Sequence, residues 1–416
     1  MTRRGMKRFV ALTLGVALLS TGALATAAVA KNAKQESEAV EAPPGLPDFY
    51  SVPAELPGKP GKIIKSEKVK APEIDGTVYR VMYTTLDLND NVIPVTGVIV
   101  VPEAKAPSGG FPVLSWAHGT NGMADECAAS LEPAEAAPQA NALLAQGWLV
   151  VATDYQGEGT PGLHPYIAGE NAARDTIDIV RAAGSFKPAK AGPDYVAWGH
   201  SQGGHTAMHV LRISEDYAPD LTLHGVVAGA PPSQFNLLYD FLITSDFKHY
   251  LLMAAGGLHA AYGDEAAPLE KTLTPEGIEL LDALEETCDL GERFADVTVE
   301  DVTLGNPFEI PEWQELLSAM DPQNFTSASD APLLIIHGGD DEQIPTASSQ
   351  LLIGQICPEI PAIERWVYPG QSHARVIGPS FDDMVAWINL RFNDSADAYT
   401  PTGQGDIEIT GCAALP

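Results

Sequence analysis

From about Ile63 onward, short apolar runs alternate with longer stretches in which apolar residues recur every three or four positions. "FPVLSWAHG" (111–119), "GWLVVATDY" (147–155), "DYVAWGHS" (194–201), "LHGVVAGA" (223–230), "PLLIIHGG" (332–339) and "RWVYPG" (365–370) are nearly continuous in apolar residues. Runs of this kind suit strands buried on both faces, as in a parallel sheet. "VYRVMYTTL" (78–86) and "VIPVTGVIVVP" (92–102) read as earlier, antiparallel strands. Between strands, "NAARDTIDIVRAAG" (171–184) places Ala173, Ile177 and Val180 on one helix face, and "FDDMVAWINLRF" (381–392) repeats the pattern. Strands alternating with amphipathic helices predict an α/β, doubly wound, mostly parallel sheet.

One interval breaks the alternation. Between Pro232 and Asp330, roughly a hundred residues carry helical patterning and no convincing buried strand, too many for an ordinary connection. Its helices, among them "NLLYDFLITSDFKHYLLMAAGGLHAAYG" and "IPEWQELLSAM", are rich in leucine and aromatic residues that must be covered. The mouth of the sheet is the obvious place. The expected organisation is a core of residues 61–231 and 331–393 with a helical lid, 232–330, inserted after the sixth strand.

The ends differ from the body. Arg3, Arg4, Lys7 and Arg8 precede an apolar run, Phe9–Leu19, and small residues ending Ala28-Val29-Ala30. That is the layout of a signal peptide, residues 1–30, with cleavage expected after Ala30 and Ala25 as the alternative. The apolar run is short for a membrane span of ~20 residues. Residues 31–60 are polar and then proline-rich, and read as an extended arm. Residues 394–416 read as a tail. The chain is expected to be secreted.

Composition supports a globular protein, with 45% hydrophobic residues in 416. The formal charge is −31, and loss of residues 1–30 removes four basic groups and no acidic one, giving −35. Such a surface repels nucleic acid and anionic headgroups and favours solubility, so a substrate is expected to be neutral or cationic. The four cysteines, Cys127, Cys288, Cys357 and Cys412, are spaced too widely for a zinc cluster. In an exported chain an even number suggests two disulfides, and sequence leaves all three pairings open.

The chemistry centres on "WGHSQGG" (198–204), in which Gly199, Ser201 and Gly203 match G-x-S-x-G. The motif follows a predicted strand and precedes a helical pattern, as a nucleophile on a sharp strand-to-helix turn requires. A hydroxyl needs a base, and the base needs an orienting carboxylate. "LLIIHGGDDEQIP" offers Asp341, with Asp340 as fallback, and "RWVYPGQSHA" offers His373 before the final helix. Of the ten histidines only His373 falls in a loop after the last predicted strand. His200 and His205 flank Ser201 on the wrong side of the turn to act as base, and His118 and His164 read as structural. An oxyanion would be held by the backbone N–H of Gln202 and by one from Thr120 or Asn121. No histidine shows the paired spacing of a metal site, and neither metal nor organic cofactor is expected.

These residues resemble the secretory lipases of the lipase A type, within the α/β-hydrolase superfamily. The resemblance rests on "DFYSVP", "PGKII", "SWAHGT", "CAAS", "DYQGEGTPGLHPY", "GHSQGG", the helical insertion, "HGGDDEQIP" and "GQSHA", and runs from about Asp48 to Phe392. It implies a helical lid and hydrolysis of carboxylic esters, including acylglycerols. It also implies that Cys127 pairs with Cys288, and Cys357 with Cys412. The expected protein is a monomeric serine carboxylesterase or lipase that meets lipid–water interfaces transiently. A peptidase or amidase, an acyltransferase, and a non-catalytic binding protein are the alternatives. The last is expected to have lost one of Ser201, Asp341 and His373, and all three are present.

Overall fold

The computed structural model describes residues 39–416, apart from 289–290, 292–293, 361, 396, 404–405 and 413–416. The signal-peptide reading, its cleavage site and the first part of the arm lie outside the described residues. Ten strands form one sheet in the order β1-β2-β3-β5-β4-β6-β7-β8-β9-β10. They are β1 (Ile63–Val69), β2 (Gly76–Leu86), β3 (Val92–Pro102), β4 (Phe111–Ala117), β5 (Leu149–Thr153), β6 (Ala191–His200), β7 (Thr222–Gly229), β8 (Leu333–Gly338), β9 (Ile363–Tyr368) and β10 (Glu408–Gly411). Strands β5, β4, β6, β7, β8 and β9 run parallel. Antiparallel pairings bring β1, β2 and β3 to one edge and β10 to the other.

The parallel strands are the nearly continuous apolar runs, and β5 and β8 are buried along their whole length. Helices cover both faces. Ala173, Ile177 and Val180 of helix Gly169–Ser185 are fully buried on one face together with Met208 and Leu211 of helix Gln202–Tyr217. Trp387, Met384 and Ile388 of helix Ile377–Phe392 close the other. Each such aliphatic side chain contributes about 1.5–3 kcal/mol by leaving water. Chain order reverses at β4, which has β5 on one side and β6 on the other. In sheets of this type ligands bind beyond the carboxyl ends of the strands at such a switch point.

Two strands were not read from the sequence. β1, "IIKSEKV", is half exposed, and β10, "EITG", has no buried residue. With β1 counted, the helical insertion follows the seventh strand and not the sixth. Beyond residue 393, Glu408–Gly411 form β10, which pairs with β9. Within the arm, Tyr50 is fully buried and its hydroxyl lies 2.8 Å from Ser130 Oγ.

The insertion contains helices Phe235–Leu242, His249–Ala266, Pro275–Asp282 and Pro311–Met320. Phe235, Leu238, Met253, Leu258, Trp313 and Leu317 form an apolar cluster that also takes in Met123, Tyr166 and Ile344 from the core's loops. The leucine and aromatic faces are therefore covered by one another and by the strand-end loops. No described helix is long and apolar enough to cross a membrane. Disulfides join Cys127 to Cys288 and Cys357 to Cys412, the pairings the resemblance implies.

Candidate active site

Between β6 and helix Gln202–Tyr217 the chain reverses within one residue. Ser201 has φ 59° and ψ −122°, a backbone region that residues with a side chain rarely occupy and that costs about 1–3 kcal/mol. The turn persists because neighbours fix it. Ser201 N–H donates to Gly229 O at 2.9 Å, and His205 N–H donates to Ser201 O at 3.0 Å. Glycine is required on either side: a Cβ on Gly203 would lie 1.9 Å from Ala117 O, and one on Gly199 would lie 2.1 Å from Gly203 O. The G-x-S-x-G spacing thus follows from strand and helix lying almost in contact, which pushes the serine outward.

The loop after β8 supplies Asp341, and the loop after β9 supplies His373. His373 Nδ1 lies 2.7 Å from Asp341 Oδ2, with both side chains buried. Asp341 Oδ1 accepts the backbone N–H groups of Gln343 at 2.9 Å and Ile344 at 2.8 Å. Burial by itself would raise the Asp341 pKa. Hydrogen bonds from His337 and His373 outweigh it and hold the carboxyl well below the usual carboxylate range. Asp340, the neighbouring acid, is exposed and meets the second loop only through its backbone, donating to Gln371 O at 3.0 Å.

His373 Nε2 is buried with no hydrogen-bond partner among the described residues. Its ring lies 4.7 Å from that of His200, the residue before Ser201. His373 therefore lies beside the serine's turn with a nitrogen able to accept a proton. His200, set aside on sequence grounds, packs directly on the His373 ring. Burial, with His373 nearby, pushes its pKa down to about 3. Glu342 Oε2 accepts the backbone N–H of His373 at 3.0 Å and steadies that loop.

The Gly119–Gly122 loop follows β4 and lies against the serine. A Cβ on Gly119 would meet His200 O at 3.3 Å and Ser201 Cβ at 3.6 Å. Thr120 is partly buried, and its Oγ1 is 2.8 Å from Tyr166 OH, whereas Asn121 is exposed. Gln202 is the first residue of its helix, where backbone N–H groups lack intrahelical partners and favour negative charge. Its side-chain Nε2 lies 2.7 Å from His164 Nε2, and His164 Nδ1 lies 2.9 Å from Gln156 O. These partners assign the His164 proton to Nδ1. Beneath this loop Glu158 is fully buried, 3.7 Å from His118 Nε2 and 3.8 Å from His164 Nε2. Burial, with Asp154 nearby, pushes its pKa well above the ordinary glutamate value. Nothing in "DYQGEG" distinguishes this buried acid from a surface one.

Ser201 also lines an apolar cavity between the core and the insertion. Tyr166, Phe235, Leu238, Tyr250 and Trp313 contribute to its wall, and none of its lining residues is charged. Tyr250 OH donates to Gln343 Oε1 at 3.1 Å, so one wall residue touches the loop that carries Asp341. The cavity was not legible in the sequence, because its wall gathers residues far apart along the chain. The leucine–aromatic richness of the insertion was the available signal.

The family model described as "Secretory lipase" matches residues 137–399. Lipase A of Moesziomyces aphidis is 23% identical over 283 residues, which span 63% of this chain and 60% of that protein. A secreted triacylglycerol lipase of Malassezia globosa is 25% identical over 385 residues, covering 85% of this chain and 79% of the other. Among solved structures, Candida antarctica lipase A in its closed state superimposes with a TM-score of 0.72 at 19% identity, covering 84% of this chain and 86% of that one. By the family match, with a fold that agrees, the chain belongs to the secretory lipase family of the α/β-hydrolase superfamily.

Proposed function

We propose that the chain hydrolyses esters of apolar carboxylic acids through an acyl-enzyme on Ser201. The observation that carries this reading is an uncharged, mostly apolar cavity with Ser201 in its wall beside a hydrogen-bonded His373–Asp341 pair. His373 Nε2 takes the Ser201 proton as Oγ attacks the ester carbonyl, then returns it to the leaving alcohol. Asp341 keeps the imidazole in the Nδ1–H tautomer and stabilises the imidazolium. The oxyanion is met by the Gln202 N–H at the helix start and by an N–H of the Thr120–Asn121 segment. Water then attacks the acyl-enzyme with His373 as base. The acyl chain lies in the cavity, and the insertion serves as the lid. Leu237 and Leu304, both exposed on the insertion, support contact with a lipid–water interface.

The family and the two disulfides support an extracellular location. Export through residues 1–30 with cleavage after Ala30 completes the reading. The test is hydrolysis of p-nitrophenyl esters from acetate to palmitate, with fluorophosphonate labelling in parallel. Rates are expected to peak at medium or long chains. Activity confined to acetate and butyrate would remove the cavity as an acyl site. Absence of both hydrolysis and labelling would remove the serine-hydrolase reading itself.

Tyr166→Phe tests the loop's part. Loss of the hydroxyl that holds Thr120 costs about one hydrogen bond, roughly 1 kcal/mol. A fall in kcat of about five-fold is expected with KM little changed, since the aromatic wall remains. An unchanged kcat would separate Thr120 from oxyanion binding.

A further inference from the structure

A second histidine touches the carboxylate that orients the base. His337, fully buried near the end of β8, has Nε2 3.3 Å from Asp341 Oδ2 and 2.9 Å from Ile344 O. Both atoms only accept, so Nε2 carries the proton. The other nitrogen, Nδ1, lies 2.8 Å from Ser349 Oγ. That hydroxyl in turn accepts from Arg365 Nε at 2.9 Å, and it is 3.1 Å from Thr346 O. Ser349 and Arg365 are buried as well. Hydrogen bonds therefore run from β9 through helix Thr346–Ile356 to His337 on β8, whose Nε2 faces the Asp341 carboxylate at 3.3 Å.

We infer that His337 is a positioning residue: its Nε2–H, facing Asp341 Oδ2, takes a share of that carboxylate's charge and so sets the pH at which His373 can act as base. The inference rests on the roles proposed above for Ser201, Asp341 and His373. The physical reason is competition. Oδ2 receives His373 Nδ1–H at 2.7 Å, while His337 Nε2–H, bonded to Ile344 O, also faces it at 3.3 Å and so weakens the hold of the first donor. Withdrawing the His337 donor leaves more negative charge for an imidazolium at 373. That cation then persists to higher pH, and the acid limb of the rate profile moves up.

The other groups facing this pair are accounted for. His200 packs on His373 from β6 and stays neutral through burial. Glu342 engages the His373 backbone, and Asp340 is exposed. Tyr250, from the insertion, meets the loop through Gln343. The Arg365 charge is answered at its far end by Glu408 of β10 at 3.4 Å. None of these supplies a second side-chain donor to Asp341 Oδ2.

The test is the pH dependence of Ser201 labelling by a fluorophosphonate, which reports the base without an ester substrate. An amide at His337→Asn reaches the Nδ1 position and keeps Ser349 but falls short of Asp341; His337→Gln reaches the Nε2 position and restores a donor. The acid limb is expected to rise by about half to one pH unit in His337→Asn and to return towards the wild-type position in His337→Gln. A merely structural histidine would slow labelling or lower the melting temperature while the limbs superimpose, and that result overturns the inference alone. A wild-type protein that does not label overturns the serine-hydrolase reading and the inference with it. Ring-nitrogen NMR of histidine in the wild-type protein gives a check that needs no variant. It should show His337 with its proton on Nε2, and a proton on Nδ1 with Nε2 bare would overturn the assignment.

Discussion

Ser201→Ala is expected to reduce ester hydrolysis by about five to six orders of magnitude in kcat, leaving only what binding and the oxyanion donors supply. The fold should be retained, since Ser201 makes its structural bonds through the backbone, to Gly229 O and from His205 N–H. Alanine keeps the Cβ and therefore the strain at φ 59°. Glycine relieves it, so Ser201→Gly should be equally inactive yet more stable than Ser201→Ala by about 1 kcal/mol. Activity assays and thermal denaturation of both variants check this. An alanine variant with more than a few per cent of wild-type activity would show that another group performs the attack. A glycine variant no more stable than the alanine one would mean that the turn stores no strain.

The second large effect is at Asp341. Asp341→Asn should lower kcat by about four orders of magnitude, because an amide cannot hold His373 in the Nδ1–H tautomer or stabilise its cation. Asp340→Asn, one residue away, should stay within about two-fold, since that side chain is exposed. Comparable losses in the two variants would refute the assignment of the acid. Because hydrogen bonds hold the Asp341 carboxyl well below the usual range, it remains ionised wherever imidazole titrates. Titration of Asp341 should thus leave no limb in the activity profile at or above the usual carboxylate range, and the pH–rate profile checks this. The same depression makes a stability statement. Asp341 stabilises the fold fully above the unfolded carboxylate value of about 4, and that contribution is lost only as the pH falls towards its folded value.

The parts of this architecture that were legible are those where one physical constraint acts on adjacent residues. A strand covered on both faces must be apolar throughout, and β5 and β8 announce themselves for that reason. The serine turn is legible because strand and helix touch, which forces glycine at 199 and 203. β1 and β10 lie at the sheet's edges with water on much of their surface, so their residues are constrained only by a neighbouring strand. Asp341 and His373 were readable from their order after the serine and their places beyond strands. His337 was not, because a histidine near a strand end looks the same whether it faces solvent or a carboxylate four residues on. The cavity's Tyr166 and Tyr250 owe their positions to packing between segments far apart in sequence, which no local pattern records.

The bond between Cys127 and Cys288 has a mechanical consequence. Gly122, in the loop beside Ser201, has φ 130° and lies so close to this bond that a Cβ would fall 2.4 Å from Cys127 Sγ. One margin of the insertion is thereby riveted to the loop that flanks Ser201. That margin cannot rise while the bond is intact. If the insertion is the lid proposed above, it opens on the side away from Cys288, like a door about its post, and leaves at rest the jamb, the loop that the proposed chemistry needs still.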